Sequence, residues 1–174
     1  ADAAAKDDLA FMEKLLPQLS DGVPARRATG LTDAETARLP QLQLLTSKPV
    51  LYVCNVDEAD AATGNAHTAA VAAFAAAEGA AHVTVSAAIE SEIVQLEAED
   101  KAEFLGELGL EEAGLARLIR AGYELLDLLT FFTAGPKEAR AWTVAAGSSA
   151  PQAAGVIHTD LQRGFIRAET ISYD

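Results

Sequence analysis

Leu9, Met12, Leu15, Leu16 and Leu19 recur at helical spacing, with Asp7, Asp8, Glu13 and Lys14 on the other faces. The pattern predicts a helix over 1–20, ended by Asp21-Gly22-Val23-Pro24. Thr32-Asp33-Ala34-Glu35 reads as a capping box opening a second helix through Leu45, interrupted by Pro40. Together these predict two helices of a hairpin. The period then changes. Val50 to Cys54 is continuously apolar and ends at Asn55, which predicts a strand buried on both faces of a parallel sheet. A polar loop, 57–65, leads to a helix over 67–78 that Gly79 ends. His82 to Ser86 reads as a second strand, and a further helix is expected from Ile89 to Leu108. Strand, helix, strand, helix is an α/β unit.

After Gly109 the pattern predicts a helix over 111–128, with Leu115, Leu118, Ile119, Tyr123 and Leu126 on one face. Thr130 to Thr133 and Arg140 to Val144 are strand-like and flank Gly135-Pro136, which predicts a hairpin. A helix over 151–161 and a strand over 165–172 would follow. Hairpin, helix and strand are the opening of a β-grasp, which needs at least one more strand to complete its sheet.

Composition narrows the function classes. The chain has 174 residues and a formal charge of −13. Residues 57–112 hold 13 acids against Lys101 alone, while 1–56 carry seven acids and six bases and 113–174 six of each. A bulk electrostatic nucleic-acid binder is thus disfavoured, and a local contact through a neutral flank is left open. The single cysteine, Cys54, allows no internal disulfide and no cysteine-based zinc site. The longest apolar run, Ala69 to Ala77, is too short to span a bilayer.

Candidate chemistry gathers at Asn55-Val56-Asp57-Glu58. Ligands of open α/β sheets bind beyond the carboxyl ends of strands. An asparagine there offers a donor and an acceptor that match the N7 and N6 edge of a purine. Ser86-Ala87, at the end of the second strand, would present backbone groups to the same base. The bland alternative is that Asn55 caps the loop after its strand. His158 is expected in a structural or contact role rather than a catalytic one, His67 and His82 are isolated, and no metal site is expected. Cys54 is expected as an inert core thiol and Trp142 in the core of the β-grasp. Lys137, Arg140, Arg163 and Arg167 are the basic residues near Phe131, Phe132 and Phe165.

Lys48-Pro49-Val50-Leu51-Tyr52-Val53-Cys54-Asn55-Val56-Asp57-Glu58 resembles the base-recognition segment of the Obg-like ATPase family, YchF type. Phe131 to Glu138, Arg140 to Thr143, Ala150 to Asp160 and Gly164 to Ile166 resemble the start of that family's TGS domain, a ubiquitin-like β-grasp. The resemblance implies an α/β fold in three parts: 1–46 from a helical, coiled-coil-like insert, 47–128 from the C-terminal side of a P-loop nucleotide-binding core, and 129–174 from an incomplete TGS domain. It also implies a cytoplasmic, ribosome-associated, monomeric ATPase, with ATP preferred to GTP, Mg²⁺ in the full-length protein, RNA contact through the TGS part and no membrane. Asn55, Val56, Glu58, Ser86 and Ala87 would be the base-binding residues. A non-catalytic ribosome- or RNA-binding module is the alternative.

Guanine-selective sites use Asn-Lys-x-Asp, in which the aspartate accepts from guanine N1 and N2. Here Val56 stands at the lysine position and Glu58 at the aspartate position. The extra methylene displaces the carboxylate by about 1 Å, and a guanine donor left unpaired costs about 1–3 kcal/mol. The sequence contains no Gly-x-x-x-x-Gly-Lys-Ser/Thr and no apolar strand ending in a Walker-B aspartate. The family's phosphate cradle would therefore lie upstream of Ala1, and these 174 residues alone are expected not to hydrolyse ATP.

Overall fold

A computed structural model describes residues 3–172. The chain divides into two units, at Gly114 and Leu115. In the first, α1 (Ala3–Ser20) leads into a 3-10 turn, Ala25–Arg27. Its buried face centres on Phe11 and Leu15, which pack with Ala25 and Leu39. Leu9, Met12 and Leu16 are exposed, so the sequence pattern placed the buried stripe partly on the wrong face by omitting Phe11. Residues 1–2 of the expected helix lie outside the described residues.

The capping box forms. Thr32 Oγ1 accepts from the Glu35 N–H at 3.2 Å, and Glu35 Oε2 accepts from the Thr32 N–H at 2.8 Å. The helix it opens, α2, is only Asp33–Thr36. Pro40 sits in a separate 3-10 turn, Leu39–Leu42, and Gln43 is left-handed, so no second long helix runs to Leu45. A proline at that point removes the amide that would continue the helical ladder.

β1 (Leu51–Asn55) pairs in parallel with β2 (Ala81–Val85), with Leu51 opposite Ala81 and Asn55 opposite Val85. They are joined by α3 (Ala66–Glu78), the crossover that parallel strands require. Asn65 caps α3 at its start and Gly79, at φ +68°, ends it in the left-handed conformation open to glycine. β1 is not buried on both faces as its apolar run suggested: Val53 is 48% exposed. Among the described residues the sheet has only these two strands.

The expected long helix from Ile89 to Leu108 is two helices, α4 (Ala87–Ile93) and α5 (Ala98–Glu107). Ile89 and Ile93 bury against Ala61, and Phe104, Leu105 and Leu108 pack on the same cluster. A straight helix would carry Phe104 about 16 Å beyond Ile93. The break returns α5 to the cluster.

α6 (Gly114–Leu125) leads into the second unit, where β3 (Leu128–Ala134) and β4 (Ala139–Ala145) form the expected antiparallel hairpin. The Tyr123 hydroxyl lies 3.3 Å from Thr143 Oγ1. Trp142 is half-buried; its Nε1 donates to Thr133 Oγ1 at 2.9 Å, and the Arg140 guanidinium stacks over its ring. The expected helix over 151–161 is split into α7 (Ala150–Ile157) and α8 (Thr159–Arg163). His158, in extended conformation between them, accepts from the Asp160 N–H through Nδ1 and so caps α8. Residues 165–172 are not a strand: they join no ladder among the described residues, and Ile166 and Ile171 are over 90% exposed. A strand needs a backbone partner to take its hydrogen bonds.

Candidate nucleotide-base site

At the end of β1 the chain turns sharply. The Val56 N–H donates to the Val85 carbonyl at 2.9 Å, extending the parallel ladder by one bond. The Val56 side chain packs on the Ala61–Ile89–Ile93 cluster, which fixes where the loop leaves the sheet. A 3-10 turn, Glu58–Asp60, follows. The loop is then tied to α3, because Asn65 Nδ2 donates to Asp60 Oδ2 at 2.7 Å while Asn65 Oδ1 accepts from the His67 and Thr68 N–H groups.

Asn55 is exposed, and its Oδ1 accepts from the Ala87 N–H at 2.9 Å. This bond joins the tip of β1 to the first turn of α4. It occupies the carbonyl half of the amide, and Nδ2 has no hydrogen-bond partner among the described residues. Asn55, Val56, Asp57, Glu58, Ala59 and Ala88 line an open cleft of roughly 430 Å³. That volume is within the usual range for small-molecule sites. Its lining holds two carboxylates and no cation. Such a lining suits an uncharged ring with an exocyclic donor and offers nothing to a phosphate.

Three of the five residues singled out from the sequence, Asn55, Val56 and Glu58, meet at this cleft. Ser86 and Ala87 do not line it. Ser86 is 3% exposed, its hydroxyl turned into the protein without a hydrogen-bond partner. The Ala87 N–H expected to face a base is already bound to Asn55. Asp57 of the candidate motif lines the cleft too, while sequence reasoning missed Ala59 and Ala88; their place close to the two strand ends was the available signal.

It also missed Glu78. This carboxylate ends α3, is 4% exposed, and accepts from the Tyr52 hydroxyl at 2.7 Å, Arg26 Nη2 at 2.9 Å and Arg27 Nη1 at 3.5 Å. The Tyr52 hydroxyl and the two guanidiniums hold the Glu78 carboxyl below the usual carboxylate range, against the opposing effect of burial. The same bond pushes the Tyr52 hydroxyl up. Among the described residues no three histidine, cysteine, aspartate or glutamate side chains stand together to hold a metal ion, so no Mg²⁺ ligand is assigned here.

Comparison with known proteins bears on the whole chain. Residues 128–174 match the family model YchF-GTPase_C, described as a protein of unknown function (DUF933). The chain is 51% identical over 173 residues to the ribosome-binding ATPase YchF of Escherichia coli O157:H7, covering 99% of this chain and 47% of that protein. The chain belongs to the YchF family. It is 47% identical over 172 residues to the ribosome-binding ATPase YchF of Bacillus subtilis (strain 168), covering 96% of this chain and 47% of that one. Among solved structures it is similar to the Schizosaccharomyces pombe YchF GTPase, with a TM-score of 0.82 and 32% identity over 94% of this chain and 44% of that one. The mixed α/β fold is thus a YchF fold. The chain spans about half the length of the curated relatives it matches.

Proposed function

We propose that this chain carries the base-binding side of a nucleoside-triphosphate site in a ribosome-binding, ATP-preferring YchF-type NTPase. The observation that carries the reading is the divided Asn55 amide, with Oδ1 held by the Ala87 N–H and Nδ2 left for a ligand in an open cleft at a strand's carboxyl end. Nδ2 donates to N7, an acceptor that adenine and guanine share. Discrimination between them falls on the six-position. The adenine 6-amino group donates, and the rim offers the Asp57 and Glu58 carboxylates as acceptors. A guanine 6-oxo group needs a donor, and the nearby Ala87 N–H is already taken. Glu58 adds to this by displacing the carboxylate that guanine N1 and N2 would need.

The relatives' names support ATP hydrolysis and a ribosome partner. In this reading residues 1–46 belong to a helical insert, 47–128 to the nucleotide-binding core and 129–174 to a TGS domain; the protein works in the cytoplasm as a monomer. Phosphate and Mg²⁺ contacts are assigned to no residue of this chain. The test is titration of the intact protein with ATP and with GTP, with and without ribosomes. The reading expects tighter ATP binding and a ribosome effect on it. Equal affinity for the two nucleotides, or binding of neither, contradicts it.

A further inference from the structure

α3 is anchored at both ends, and the two anchors belong to different parts of the first unit. At its N-terminal end Asn65 caps the helix and holds Asp60, within the loop that carries Glu58. At its C-terminal end Glu78 holds Arg26 and Arg27, which directly follow Ala25 of the Phe11–Leu15 cluster. Between these ends α3 is a 13-residue rod, about 20 Å long. Phe74, one turn before Glu78, meets the Tyr52 ring edge-on at 5.7 Å, so the rod is also fastened to β1.

Glu78 is an expensive place for a carboxylate. The C-terminal end of a helix repels negative charge, and a buried carboxylate pays for desolvation unless fully partnered. A neutral side chain would fill the position without either cost. What the carboxylate adds is a joint to Arg26 and Arg27, across 52 and 51 residues of chain.

We propose that α3 couples residues 1–46 to the cleft, with the Glu78–Arg26–Arg27 cluster as the input joint and the Asn65–Asp60 bond as the output joint. A shift of the arginines is carried along the rod to the Glu58 loop. By linkage, nucleotide binding at the cleft then alters how a partner seated on residues 1–46 is held, and the reverse holds equally. The coupling of the two segments stands on the geometry, and its effect on nucleotide rests on the base-binding reading above.

The test is amide exchange and ATP titration on the intact protein and its Arg26→Met, Glu78→Gln and Lys14→Met variants. Lys14 makes a separate ion pair with Glu35 in the same segment, away from α3. Arg26→Met and Glu78→Gln are each expected to raise exchange at Asp60, Ala61 and Gly64 without nucleotide, and to weaken ATP by about fivefold or more. Lys14→Met leaves both at the wild-type value. Faster exchange confined to residues around 26, 52 and 78, with Asp60, Ala61 and Gly64 unchanged in both variants, overturns the coupling. Wild-type protein that fails to bind ATP overturns the base-binding reading instead, and the exchange rates still decide the coupling.

Discussion

Asn55 matters because its two halves do different work. The carbonyl holds Ala87, and the amide nitrogen, which has no hydrogen-bond partner among the described residues, is the donor in the proposed base contact. Asn55→Ala therefore removes a contact common to both purines. ATP affinity should fall about tenfold, the cost of one hydrogen bond to a ligand group, and GTP affinity by less, because the freed Ala87 N–H can meet the guanine 6-oxo group. Glu58→Asp should also move the ATP:GTP ratio part of the way towards GTP, but with the N7 contact and ATP affinity kept; competition binding with the two nucleotides separates the variants. An unchanged ratio in Glu58→Asp removes Glu58 from the account of selectivity. Glu78 makes a prediction in pH. Its folded carboxyl lies below the ordinary range because Tyr52 donates to it and Arg26 pairs with it. A depressed carboxylate stabilises the fold above its unfolded pKa, and that stability is lost as pH falls through the lower folded value. Acid unfolding followed by circular dichroism should therefore lose part of its pH dependence below about 4.3 in Glu78→Gln. An acid limb identical to wild type contradicts this.

The elements show what periodicity can and cannot carry. Asn55 at the strand end, the β1–α3–β2 unit and the β3–β4 hairpin were legible, because each follows from a local run and its punctuation. Gly79 marked the end of α3 as a glycine in the left-handed region does. The misreadings share one cause, which is that tertiary contacts were decisive. The break between Ile93 and Ala98 has no proline or glycine to announce it; it exists because Ile89 and Phe104 pack on one cluster. The break at His158 depends on a side-chain cap that the spacing does not reveal. Residues 165–172 were read as a strand but have no partner ladder among the described residues. Phe11 was overlooked on α1 because leucines dominate its pattern, yet it is fully buried, while Leu9 is 59% exposed. Phe11→Ala should cost about 3–5 kcal/mol in urea unfolding, and Leu9→Ala less than about 1 kcal/mol. Equal losses would place the core of residues 1–46 on the wrong face of α1.

At the scale of the molecule, every fully buried hydrophobic side chain among the described residues lies in the first unit. Apart from Ala75 on α3 they form two small clusters, around Phe11 and around Ile89, and α3 runs from the loop beside one to the arginines beside the other. Unit two instead exposes Leu129 and Phe132 on its hairpin, and Ile166 and Ile171 beyond α8. The sequence-level resemblance to the YchF family held over nearly the whole chain, because its motifs are long and specific where periodicity is not. The cleft was legible for a simpler reason, that ligands of open α/β sheets bind beyond the carboxyl ends of strands, where Asn55 stands. The role of Ala87 was not legible, since a backbone donor carries no mark in the sequence.

The central claim is that Asn55 Nδ2 donates to purine N7. Replacing ATP by 7-deaza-ATP, in which N7 becomes a carbon, tests it in the intact protein. The account predicts that 7-deaza-ATP binds about tenfold more weakly than ATP to wild type, and that Asn55→Ala binds the two alike, as expected when both changes remove the same bond. Wild-type protein that binds 7-deaza-ATP as tightly as ATP would contradict it.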